Sequence, residues 1–139
     1  MARIGRYGAV GLAAEACSTL PLVPFVRIDG NQITDWDSFH DVFARLLGFP
    51  VFYGRNMNAW IDCMTSLDAP GDGMTTIHGD AADPVVLHVV DASSIPVDLF
   101  DALTECAGFV NWRRIEIGQP AILALSFWRT EPRTGASRA

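Results

Sequence analysis

Two dense apolar runs, Pro84 to Val90 and Ala121 to Trp128, bracket a stretch from Val97 to about Arg114 whose apolar residues recur at helical spacing. Leu99, Phe100, Leu103, Phe109 and Val110 carry that spacing, and Gly108 inside it marks a place where a helix could break. The first run is rich in β-branched residues and reads as a buried strand. Two strands separated by a helix of this length pair in parallel through a right-handed crossover. Upstream, Phe25 to Ile28 reads as a further short strand closed by the turn signal Asp29-Gly30-Asn31. Strands thus alternate with helical segments. The expected architecture is α/β, a small three-stranded parallel sheet packed with helices.

Between the first two strands the periodicity changes to that of helices. Asp35 or Asp37 can cap a helix built on Phe39, Val42, Phe43, Leu46 and Leu47. Gly48 stands where its C-terminal cap is expected, and Pro50 blocks continuation. After the Tyr53-Gly54 turn a second helix begins. Met57, Trp60, Ile61, Met64 and Leu67 gather on one side of its wheel, and Arg55, Asn58, Asp62 and Ser66 on the other. Asp62 is therefore expected on the outer surface. Asp68 to Asp83 reads as a long loop.

The 139 residues suffice for one domain with a core that needs no disulfide or structural metal. Residues 1–24 read as an Ala/Gly-rich extension, 25–129 as the domain and 130–139 as a frayed tail. The net charge of −6 argues against nucleic acid or an anionic membrane as partner and favours a basic one. Every basic residue is an arginine. Cys17, Cys63 and Cys106 are widely spaced and form no C-x-x-C pair, so neither a disulfide framework nor a zinc site follows. A reducing cytoplasm is the simpler setting. Arg3 and Arg6 precede a short apolar stretch, but its two glycines argue against an export signal. No run reaches the length of a membrane span.

Reactive side chains do not assemble into a site by spacing. Cys63 flanks the apolar face of the second helix and reads as a half-buried structural thiol. His40 reads as a packed or rim residue, His78 as a loop residue and His88 as part of a buried strand. None has metal-ligand spacing, so neither a metal nor any other cofactor is expected. Trp36, Trp112 and Trp128 read as core or rim aromatics.

The segment Phe52-Tyr53-Gly54-Arg55-Asn56, followed by Ala59 and Asp62-Cys63, resembles the hallmark of barstar-type ribonuclease inhibitors. Ile28-Asp29-Gly30-Asn31-Gln32-Ile33 is similar to that family's first strand and turn, and Leu47-Gly48-Phe49-Pro50 to its first helix exit. The resemblance implies a barstar-like fold and a binding protein rather than an enzyme. It implies a one-to-one complex with a basic ribonuclease or toxin, whose cleft the segment from Phe52 to Ser66 would plug. Carried over by position, the partner-binding residues are Phe52, Gly54, Arg55, Asn56, Asn58, Ala59 and Asp62, with Asp62 in the phosphate subsite. Arg55 and Asn58 stand where the family commonly has acidic residues. On the wheel they share Asp62's face, which would then carry one positive and one negative charge. Those two positions favour the alternative, a binding module of the same fold for a partner that is not a ribonuclease.

Overall fold

A computed structural model describes residues 24–130; the extension and the tail lie outside the described residues except for Pro24 and Thr130. Strands β1 (Phe25–Asp29), β2 (Val85–Val90) and β3 (Leu123–Phe127) form one sheet in the order β1-β2-β3, parallel throughout. Helices α1 (Trp36–Leu47) and α2 (Met57–Thr65) lie between β1 and β2, and α3 (Val97–Glu116) lies between β2 and β3. The fold is α/β, as the alternation of patterns implied.

Strand periodicity places the core. Val26 and Ile28 of β1 pair in register with Leu87 and Val89 of β2, and all four are buried. Side chains alternate across a sheet, so Arg27 and His88 turn to the opposite face. β2 is consequently buried on one face and half-buried on the other. His88 lies on that second face, with its Nδ1 3.0 Å from the Ser126 hydroxyl and its ring stacked on Phe25. β3 is an edge strand: Leu123 is buried, whereas Phe127 is 44% exposed. The three tryptophans read as core or rim are rim residues, and Trp128 is 82% exposed.

α1 forms where its signals lie. Asp35 is the cap: its Oδ1 accepts from the Ser38 backbone N–H (2.8 Å) while Ser38 Oγ accepts from the Asp35 N–H (3.0 Å). Gly48 closes the helix at φ 70°, a left-handed conformation that glycine adopts without strain. α3 departs from expectation in two respects. It runs unbroken through Gly108, because Leu99, Leu103, Ala107 and Val110 carry the buried face past it. The cost of one helical glycine, about 1 kcal/mol, is small beside that burial. Phe109 is also off the buried stripe, where Ala107 and Val110 take the inner positions.

The long loop is fastened rather than free-standing. Its Thr76 N–H donates to the Leu47 carbonyl (2.9 Å) and its Gly79 N–H to the Leu67 carbonyl (3.0 Å). These bonds satisfy carbonyls at the ends of α1 and α2 that the helices leave open. At the same end of α2, Arg114 is buried within the fold at 1% exposure and holds three chain segments together. Its guanidinium donates to the Thr65 carbonyl (3.0 Å), to both carboxylate oxygens of Asp68 (3.0 and 2.8 Å) and to the Pro120 carbonyl (2.8 Å).

Candidate protein-binding site

The surface around Asp62 is set by the way α2 starts. Asn56 is the N-cap, its side-chain oxygen accepting from the Ala59 N–H at 2.8 Å. From that start, Trp60, Ile61, Met64 and then Leu67 turn into the core. Asp62 falls on the opposite side and is exposed. Cys63, read as half-buried, is in fact buried at 2% exposure. Burial, with the Asp62 charge adding to it, pushes its thiol up to about 11. That is the reverse of an activated nucleophile.

The loop leading into α2 is held by aromatic side chains. The Tyr53 hydroxyl and His40 Nδ1 share a hydrogen bond of 2.6 Å, and the Tyr53 ring packs on Phe49. Burial first, and the Arg55 charge second, hold His40 below its ordinary pKa. A neutral imidazole suits a partly enclosed site beside a phenol. With Tyr53 anchored inward, its neighbour Phe52 is left 73% exposed. Phe52, Gly54, Ala59, Asp62 and Met74 border a recess of about 150 Å³.

The seven sequence-derived contact residues therefore separate. Phe52, Gly54, Ala59 and Asp62 share the recess. Asn58 is exposed outside it, and Arg55 and Asn56 face a second hollow of about 250 Å³ with Trp36, His40 and Met57. Arg55 does not share Asp62's face. It precedes the helix at φ 55°, so its side chain leaves in a direction the wheel does not describe. Its guanidinium donates to Asp41 Oδ1 (2.8 Å), to the Asp37 carbonyl (3.1 Å) and to Asp37 Oδ1 (3.4 Å). Two carboxylates thus surround this one cation, and their cluster remains negative.

The cation beside Asp62 is instead Arg113 of α3, with Nη1 3.4 Å from Asp62 Oδ1. Sequence reading missed it because the two residues lie 51 positions apart. Met74 and His40 were missed as neighbours of the site for the same reason. The acidic run from Asp68 to Glu105 is also less available than its composition suggests: Asp68 is neutralised by Arg114, and Asp91 Oδ2 accepts from the Asn31 side chain at 2.8 Å.

Among the described residues, no group of three or more His, Cys, Asp or Glu side chains is placed to hold a metal ion. No described helix is long and apolar enough to cross a membrane. What the fold presents is an α/β domain with a carboxylate at the rim of a small, largely apolar recess.

Known proteins resemble this chain. The family model described as Barstar (barnase inhibitor) matches residues 23–109, from β1 into α3. The chain belongs to the barstar family. It is also 31% identical over 88 residues to the Bacillus subtilis (strain 168) protein named "Putative ribonuclease inhibitor YrdF", an alignment that covers 58% of this chain and 97% of the relative.

Proposed function

We propose that this protein is an intracellular inhibitor that binds a microbial ribonuclease one-to-one and occludes its active site. The observation that carries the reading is Asp62, exposed on α2 at the rim of the recess in a chain of the barstar family. A carboxylate held there offers charge-assisted hydrogen bonds to the arginine and lysine side chains with which a ribonuclease grips phosphate. Phe52 supplies an aromatic contact beside it, and Gly54 and Ala59 leave room for a close approach. The mechanism is occupancy: the segment from Phe52 to Ser66 fills the cleft, with no cofactor and no turnover. Protection of the producing cell places such an inhibitor in the cytoplasm.

Titration of the protein into a barnase-type ribonuclease, with RNA cleavage as the readout, tests this. Complete inhibition is expected near one equivalent. Asp62→Ala is expected to weaken it at least about thirtyfold, the effect of losing a hot-spot contact of roughly 2 kcal/mol. Absence of inhibition by the folded protein would overturn the ribonuclease reading. It would leave the second one, a barstar-fold module for another protein, which the neutral Asn58 and the self-paired Asp62 favour.

A further inference from the structure

Arg113 and Arg114 are adjacent in sequence and opposite in situation. Arg114 is buried and committed to four hydrogen bonds. Arg113 is partly exposed, as is its partner Asp62, with side-chain exposures of 41% and 62%. Its guanidinium carbon also lies 5.9 Å from the centre of the Phe109 ring, and Phe109 stacks on Trp112 at 5.5 Å. Phe109 and Trp112 are themselves exposed. Asp62 is thus continuous, through Arg113, with an aromatic ledge on α3.

We propose that Arg113 sets the specificity of the Asp62 surface: it selects a protein partner that places a carboxylate beside the cation offered to Asp62, and it disfavours a uniformly basic one. The inference rests on Asp62 being a contact residue, as argued above. A cation approaching Asp62 enters the neighbourhood of a second cation already paired with it. Two cations at one carboxylate repel unless a second carboxylate arrives or one cation withdraws. Withdrawal would also give up the contact with the Phe109 face, 5.9 Å from the guanidinium carbon. A partner carboxylate meeting Arg113 turns the conflict into two crossed charge pairs. The exposed rings of Phe109 and Trp112, once covered, keep water from screening either pair. Arg55 cannot play this part, since Asp37 and Asp41 already hold it.

The test uses two probe peptides, hexa-arginine and an alternating Arg-Glu hexapeptide, titrated at low ionic strength into the wild type, Arg113→Gln, Arg113→Lys and Asp62→Asn, with shifts of the backbone amide NMR signals at positions 62 and 113 as readout. Arg113→Gln is expected to bind hexa-arginine about threefold or more tightly and the alternating peptide more weakly. Arg113→Lys, which keeps the charge, is expected to retain the wild-type preference, and Asp62→Asn to remove it. An unchanged preference in Arg113→Gln, or no response of the Asp62 signal to either probe, overturns the proposal. The ribonuclease titration stays separate. Its failure with a shifted peptide preference removes the ribonuclease and leaves Arg113's role; inhibition with an unchanged preference keeps the ribonuclease and removes that role.

Discussion

Arg114 grips Asp68 through two parallel hydrogen bonds, 3.0 and 2.8 Å, and the pair ties the end of α2 to the end of α3. The same guanidinium satisfies the Thr65 and Pro120 carbonyls, so one side chain closes the corner at which both helices and the approach to β3 meet. The orientation of α2, and hence of Asp62, depends on that corner.

Removing the guanidinium should therefore destabilise the whole domain. Arg114→Ala leaves two carbonyls without partners, gives Asp68 over to solvent and opens a cavity, a combination worth about 2–4 kcal/mol. Urea unfolding should show a lower midpoint with little change in slope. A midpoint within experimental scatter of the wild type would show that the corner is held by packing alone.

The same pair predicts an acid response. Hydrogen bonding from Arg114 holds the Asp68 carboxyl below its ordinary pKa of 3.8. A carboxylate with a lowered folded pKa contributes stability above its unfolded pKa and loses it as the pH falls through the folded one. The contribution should thus be intact at neutral pH and fade below about pH 4. Asp68→Asn should be less stable at neutral pH and should lose less on acidification. Equal slopes for the two proteins in acid would contradict the assignment.

These contacts also mark the limit of what the chain discloses before it folds. α1 is legible because its signals are local: Asp35, the Phe39/Val42/Phe43/Leu47 stripe, Gly48 and Pro50 all lie within one helix length. The buried face of α2 is legible for the same reason, and so is the exposure of Asp62. Arg114 is not, because burying an arginine depends on Thr65, Asp68 and Pro120 arriving together from separate segments. Arg55 was misplaced because a wheel assumes helical backbone, whereas this residue sits at φ 55° just before the helix. Phe109 misled because hydrophobicity at nearly the right spacing imitates a core position.

Gly108 gives a prediction of the opposite sign. A methyl group added there would meet nothing within 4 Å, and the residue lies inside a continuous helix. Gly108→Ala should stabilise the protein by up to about 1 kcal/mol through helix propensity and a less flexible unfolded chain. A thermal midpoint that falls would show that α3 needs flexibility at this point.

Arg55 yields the last prediction, where sequence and structure disagree most about the site. The family resemblance leads one to expect a carboxylate at position 55, which Arg55→Glu would supply. The geometry argues otherwise. A glutamate would face Asp37 and Asp41, which now share the guanidinium, and would replace attraction with repulsion between α1 and the start of α2. The Tyr53–His40 contact and the Asn56 cap lie next to that junction. Arg55→Glu should lower the thermal midpoint, recover part of the loss in high salt, and weaken partner binding despite the added negative charge. Tighter binding at unchanged stability would show instead that long-range attraction to a basic partner outweighs the order of the loop.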